Sequence, residues 1–173
     1  MKHLHPPAPP LTLHPLRPAD APALQAVYQA SADVWSSRGD APPEPDQAAA
    51  DLMAAAADEG RYLLGITLRD AMIGVVDLRL ASPGPYDVQI GLILLADAQR
   101  RQGLGSWALR ILETWLGRDT PTEAVIIAVP AQDHVAQAFM MANGYAFTGQ
   151  STRVLIGSSR PRLLEMRKSL RSS

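Results

Sequence analysis

The chain contains no cysteine. Disulfides, thiolate metal sites and a cysteine nucleophile are therefore excluded. No apolar run approaches the roughly 18 residues of a membrane span. The opening stretch MKHLHPPAPP (residues 1–10) lacks the apolar core of a secretory signal, and its prolines suit an extended tail. A cytoplasmic protein is the expectation. An excess of one charge is also missing: 16 Lys and Arg stand against 17 Asp and Glu, a formal net charge of −1. A general nucleic-acid binder is normally basic, so that class is disfavoured.

What is present is a globular composition, 47% hydrophobic and 19% charged over 173 residues. That suits one domain with a single sizeable core. Residues 1–10 read as a tail, 11–168 as the domain and 169–173 as a C-terminal tail. A short strand is expected over LTLHPLR (11–17) and a helix over APALQAVYQA (21–30), with Asp20 as a possible cap. SSRGDAPPEP (36–45) reads as a loop. DQAAADLMAAAADEG (46–60) reads as a helix of strong formers closed by Gly60.

The period then changes. RYLLGITL (61–68), MIGVVDLRL (72–80) and YDVQIGLILL (86–95) are rich in Val, Ile and Leu and are joined by short turns. They predict an antiparallel three-strand meander. LGSWALRILETWL (104–116) predicts a helix with Leu104, Ala108, Ile111 and Trp115 on one stripe. EAVIIAV (123–129) reads as a strand buried on both faces. DHVAQAFMMAN (133–143) reads as a helix ended by Gly144, and YAFTGQ (145–150) and RLLEMRKSL (162–170) as the last strands. The order β-α-α-β-β-β-α-β-α-β-β describes an α/β domain, a mixed sheet covered by helices.

Between the third strand of the meander and the next helix lies QRRQGLGSWAL (99–109). A helix N-terminus offers unpaired N–H groups and a partial positive charge, and glycines before it let a ligand approach the backbone. Such a place binds phosphate, and Arg100 and Arg101 would add charge at its rim. A P-loop needs Gly-Lys-Ser/Thr after the glycines, and none is present. Gly103, Gly105 and Ala108 match the dinucleotide fingerprint GxGxxA, but DAQRRQ separates strand from glycine and the upstream strands form a meander rather than a βαβ unit. An ordinary tight turn with solvated arginines is the other reading.

The sequence resembles the GNAT family of N-acetyltransferases. The family's pyrophosphate-binding signature, Gln/Arg-x-x-Gly-x-Gly/Ala, is matched by Arg100-Arg101-Gln102-Gly103-Leu104-Gly105. The family's second block, Asn-x-x-Ala ending in Lys-x-Gly-Phe, resembles VPAQDHVAQAFMMANGYAFTG (129–149). The likeness runs from about Leu11 to Lys168, and the nearest branch acts on protein N-termini such as those of ribosomal proteins. The resemblance implies a fold with splayed fourth and fifth strands and acetyl-CoA as acyl-donor cosubstrate, with no metal. The amides from Arg101 to Ser106 would hold the pyrophosphate. The strand edge at Ile93 and Leu95 would pair with the pantetheine arm, and Asp133, Ala136 and Met140 would face the cofactor from the following helix. A primary amine would attack the thioester directly, with the Leu95 amide stabilising the oxyanion.

Two positions depart from the family. The glutamate that takes the amine's proton is replaced by Gln89, and an amide is no base. Asp87, two residues earlier, shares its face by strand alternation, and Asp77 is a second candidate. The tyrosine that reprotonates the thiolate is replaced by Met140. A thiol has a pKa of about 8–9, so a thiolate can leave at neutral pH at a cost of roughly 1.4–3 kcal/mol. Loss of the base matters more for a lysine-like amine, with a pKa of about 10.4, than for an α-amine near about 8. An α-amine or another weakly basic nitrogen is the expected acceptor. The alternative is an acyl-CoA-binding module without catalysis.

The remaining residues carry weaker signals. Trp35 falls where the family's acceptor-side loop sits, and the acceptor loops are placed at residues 34–46 and 149–161. Trp107 and Trp115 read as helix-packing residues, and His134 as solvated. His3, His5 and His14 define no metal site. Arg160, Arg162, Arg167, Lys168 and Arg171 read as a solvated basic face. Membrane and nucleic acid are not expected partners, and nothing in the sequence selects between a monomer and a homodimer.

Overall fold

The computed structural model describes residues 9–37, 40–155 and 158–171. His3, His5 and most of the N-terminal tail lie outside them. The elements are β1 (Leu11–Pro15), α1 (Ala21–Gln29), α2 (Ala32–Ser37), α3 (Gln47–Ala56), β2 (Arg61–Leu68), β3 (Ala71–Leu80), β4 (Asp87–Leu95), α4 (Leu104–Asp119), β5 (Ala124–Pro130), α5 (His134–Ala142), β6 (Ala146–Arg153) and β7 (Arg162–Ser169). One seven-stranded sheet runs in the order β1-β2-β3-β4-β5-β7-β6. Every neighbouring pair is antiparallel except β4 and β5, which are parallel. The expected mixed α/β sheet and its meander are both present. Helix α2 departs from the expectation; it begins where Ser31 turns its hydroxyl onto the Val27 carbonyl at 2.8 Å.

Each sheet face carries its own core. Val76, Leu78, Val88, Ile90, Val125, Ile127 and Met166 pack against α4 and α5. On the opposite face Leu63, Val75 and Leu94 pack against Leu24, Val27 and Tyr28 of α1 and Ala48 and Leu52 of α3. In α4 the buried residues include Leu104, Ala108, Leu109, Leu112 and Leu116. The expected stripe is thus corrected at its far end: Trp115 is 38% exposed, because Leu112 and Leu116 take the positions over the sheet. Trp107 lies at the flank with the Arg110 guanidinium 4.6 Å from its ring centroid.

One polar network crosses the α4/α5 face. Tyr145 donates its hydroxyl to Glu113 at 2.9 Å, and Lys168 donates to Glu113 at 2.6 Å and to the Asn143 carbonyl at 2.9 Å. Lys168 is therefore half-buried and paired rather than part of a solvated face. On the other face Tyr28 donates to Asp51 at 2.7 Å. Burial first, then the Asp51 carboxylate, pushes the Tyr28 phenol above its ordinary value, and burial with Glu113 does the same to Tyr145. A phenol raised in the folded state stabilises the fold fully below its unfolded value of about 10, and that contribution is lost as pH rises through the folded value. Alkaline difference absorbance should therefore show Tyr28 and Tyr145 ionising only as the chain unfolds. Reversible ionisation of both at about pH 10, with circular dichroism unchanged, would contradict these networks.

Candidate active site

The site is organised by one extra residue in β4. Asp77 of β3 sits opposite Leu92, but Leu78 sits opposite Ile90, so Gly91 is a bulge. The bulge reverses the pleat. Val88 and Ile90 face α4, while beyond it Leu92 and Leu94 face α1 and α3, and Ile93 and Leu95 return to the α4 side. The parallel ladder between β4 and β5 runs from Asp87 opposite Ala124 to Ile90 opposite Ile127 and stops there. Beyond the bulge the two strands part.

The freed edge of β4 follows from the ladder on its other side. The Ala96 amide donates to the Ile73 carbonyl at 2.8 Å. Antiparallel alternation then directs the amides of Leu94 and Leu92 to β3 and those of Ile93 and Leu95 into the gap. The Leu95 carbonyl is already occupied: Arg100 Nε donates to it at 2.9 Å and Ser31 Oγ at 3.3 Å. Gly74 lets β3 close on this end, since a Cβ there would collide with the Leu94 carbonyl oxygen.

The glycine turn lies at the mouth of the gap. Arg101 and Gly103 both adopt left-handed φ values, +62° and +76°. Gly103 precedes α4, and no side chain caps the helix, so its first amides are open to a ligand. A Cβ on Gly103 would meet nothing within 4 Å. These features fit an anion at the start of α4. Gly105 serves a different need: a Cβ there would lie 3.1 Å from Phe139 of α5 and 3.6 Å from a methyl of Leu95.

Several expected site residues occupy other roles. Arg100 turns inward rather than standing at the rim. Besides Leu95 it binds Asp33 of α2 at 2.5 Å and Asp97 at 3.5 Å. Hydrogen bonding to Arg100 holds the Asp33 carboxyl below the usual carboxylate range. Gln102 donates to the Ala98 carbonyl at 3.0 Å, fixing the turn. Asp133 caps α5 by accepting from the Ala136 amide at 2.9 Å. Met140 is 1% exposed, within the core beneath α5. Arg101 and His134 are exposed, and Leu104, Ser106 and Ala136 lie at the helix starts flanking the gap.

Asp87 and Leu95 are not brought together. They lie eight residues apart on one strand, roughly 26 Å. Asp87 accepts from the Gly84 amide at 3.2 Å and from Arg167 at 3.3 Å, at the closed end of the ladder. Leu95 lies against the first turn of α4, at the anion end of the gap. Gln89 is exposed just below the bulge, where Ser82 donates to it at 3.2 Å. Asp77 faces Gly91, whose Cβ position is 3.9 Å from its carboxyl carbon, and it is clamped by Arg61 at 2.7 and 3.1 Å. Sequence reasoning does not single out Asp33, Ser31 or Gly74; the only local signal is a small residue inside a strand.

Beyond α2 lies an open cavity of about 290 Å³ lined by Trp35, Pro42, Pro43, Gln47 and Asp51, among others. Trp35 donates from its indole to the Tyr28 carbonyl at 3.0 Å and stacks edge-on to Tyr28 at 5.2 Å. Among the described residues no group of three His, Asp or Glu could hold a metal ion. No helix of the described residues is long and apolar enough to cross a membrane.

Residues 10–146 match the family model of the acetyltransferase (GNAT) domain. The chain belongs to the GNAT family of acetyltransferases, acyltransferase enzymes that use acetyl-CoA. An acetyltransferase from Thermus thermophilus superposes with a TM-score of 0.77 at 25% identity, covering 94% of this chain and 98% of that one. The Salmonella typhimurium enzyme that modifies the N-terminal serine of ribosomal protein L7/L12 gives 0.79 at 16% identity, covering 92% and 94%. The PaiA N-acetyltransferase of Thermoplasma acidophilum, solved with coenzyme A, gives 0.67 at 15% identity, covering 92% and 98%. The last two likenesses show the fold alone. A search of curated proteins finds no match.

Gly103→Ala tests the turn directly. With open space at the Cβ, its cost is backbone strain alone, about 1–2 kcal/mol by urea unfolding. An unchanged midpoint would mean that the left-handed turn is not held in solution.

Proposed function

We propose that the protein transfers an acetyl group from acetyl-CoA to a primary amine, in a ternary complex and by direct attack. The parting of β4 from β5 at Gly91, with an uncapped helix start at its mouth, carries this reading. The amides from Arg101 to Ser106 hold the pyrophosphate, with the Arg101 side chain at the rim. Arg100 braces the turn from behind through its Nε and one Nη, which bind the Leu95 carbonyl and Asp33. The long pantetheine arm then places the thioester deep in the gap. Leu95 is too close to α4 for the reacting carbonyl, so the oxyanion donor moves to the Ile93 amide, nearer the bulge. Leu95 offers its amide to the arm instead. Neither Asp133 nor Met140 is needed for contact with the arm; they position α5.

The amine enters from the α1/α3 face, where Gln89 and Asp77 lie beside the bulge and Trp35 walls the cavity beyond. Gln89 supplies no base on β4, and both Asp77 oxygens accept hydrogen bonds from Arg61. A weakly basic nitrogen, such as a peptide α-amine, reaches the site unprotonated more often than a lysine side chain does. The sequence resemblance to N-terminal acetyltransferases points the same way.

Calorimetric titration with acetyl-CoA, against NAD and phosphate as controls, is the first test. Micromolar binding of acetyl-CoA alone is expected, and Gly103→Ala should weaken it. Equal binding of NAD would overturn the cofactor assignment. Thiol release should then require an amine, with α-amine peptides exceeding free lysine side chains and polyamines; the reverse order would sink the acceptor class. Binding without release for every amine would favour a sensing module. Asp87→Asn should change kcat/KM by less than about threefold, since Asp87 lies at the closed end of the ladder. A loss of about a hundredfold would restore it as the base.

A further inference from the structure

We propose that Asp33 is a positioning residue: through Arg100 it ties the acceptor-side helix α2 to the cofactor turn, and so sets the affinity for the amine. This rests on the transfer reading above and says what holds its acceptor wall in place. The reason begins with what α2 lacks. Of its described side chains none is buried; Ala32, Asp33 and Ser36 are exposed, and Val34 and Trp35 are half-buried. A helix of six residues with so little apolar burial has little local stability of its own. Its place therefore depends on polar ties.

One tie runs to α1. The Trp35 indole donates to the Tyr28 carbonyl at 3.0 Å, and its ring meets Tyr28 edge-on. The others run to the segment between β4 and the glycine turn. The Asp97 amide donates to the Ala30 carbonyl at 3.0 Å. Ser31, fully buried, directs its hydroxyl at the Val27 carbonyl and, at 3.3 Å, the Leu95 carbonyl. These two hold the end of α1. The tie made by α2 itself is Asp33, which accepts from Arg100 Nη1 at 2.5 Å.

Arg100 is well placed to pass order between the two sides. Its Nε donates to the Leu95 carbonyl at 2.9 Å, and Nη1 is shared between Asp33 and Asp97. Its Nη2 is buried without a hydrogen-bond partner. An orphaned buried N–H is unfavourable, so the charge-assisted bonds of Nε and Nη1 are what keep the guanidinium in place. Arg100 directly precedes Arg101, whose left-handed φ begins the row of amides assigned to the pyrophosphate. An anion seated on those amides orders the backbone that carries Arg100. Asp33 passes that order to α2, where Trp35, two residues on, walls the cavity of about 290 Å³. Asp33 acts through Arg100 and is assigned no contact with the reacting atoms.

The test uses the full chain, acetyl-CoA and a short peptide with a free α-amine. At saturating acetyl-CoA, Asp33→Asn should raise the peptide KM about fivefold, the upper end for an exposed ion pair. The kcat should stay within about twofold, the pattern of lost binding rather than lost chemistry. Acetyl-CoA affinity by calorimetry should also stay within about twofold, and the melting temperature should hold, since the Asp33 side chain is 62% exposed. Asp33→Glu should recover part of the KM. In an Arg100→Gln background Asp33→Asn should add nothing, because the pair is already broken. Salt should raise the wild-type peptide KM more steeply than that of Asp33→Asn. Hydrogen exchange gives a readout without turnover: coenzyme A should slow exchange of the α2 amides in the wild type and not in Asp33→Asn. Equal protection of α2 in both proteins, a kcat loss at unchanged KM, or an Asp33→Asn effect that adds in full to that of Arg100→Gln would each overturn the assignment. A wild type that binds acetyl-CoA yet acetylates no amine would overturn the transfer reading, and the assignment with it. An active wild type with an unchanged peptide KM in Asp33→Asn would overturn the assignment alone.

Discussion

The extra residue at Gly91 is the constraint on which the rest depends. Without it, β4 would keep one pleat throughout, and Leu92 and Leu94 would join Val88 and Ile90 under α4. The core against α1 and α3 would lose Leu94, which is 1% exposed there. With it, side chains change faces within one residue, and the ladder to β5 ends at the same point. A single local irregularity therefore supplies both a second core and an open strand edge. The gap is a consequence of satisfying two hydrophobic faces with one strand.

An opened strand end must be held by something else. Gly74 brings β3 close to the Leu94 carbonyl, and Arg100 and Ser31 hold the Leu95 carbonyl. These contacts are not equal. A hydrogen bond from a charged donor to a half-buried carbonyl contributes about 1.5–3 kcal/mol. The ion pair to Asp33, whose side chain is 62% exposed, belongs with surface pairs at about 0–1 kcal/mol. Arg100 thus acts first as a brace for β4, and its tie to α2 adds direction more than stability. This explains why the first arginine of the turn faces inward while the second stands in solvent with a left-handed backbone.

Much of the architecture is legible in the sequence because it rests on short-range signals. Short turns between Val- and Ile-rich runs mark the meander, the glycines mark the start of α4, and EAVIIAV marks a strand buried on both faces. What escapes depends on long-range packing. Trp115 shares the helical period, but Leu112 and Leu116 fill the space over the sheet. Lys168 looks like one of a run of cations until Glu113 and Tyr145 are brought beside it. Asp87 and Leu95 fall into one expected site because the sequence carries no measure of where along β4 the strands part. Alternation, counted evenly from Asp87, fails at Gly91, and glycine there has no positive φ to advertise a bulge.

The same geometry explains why an amide at Gln89 is compatible with acetyl transfer. Where the two parallel strands part, the α1/α3 face of the opening is bordered by β3 and β4, with Asp77 and Gln89 beside the bulge. Asp77 is held by Arg61 through two hydrogen bonds, and Gln89 accepts from Ser82. An amide takes no proton from an attacking amine. Its presence costs least for a nitrogen that arrives unprotonated, as an α-amine near about 8 does more often than a lysine-like amine near about 10.4.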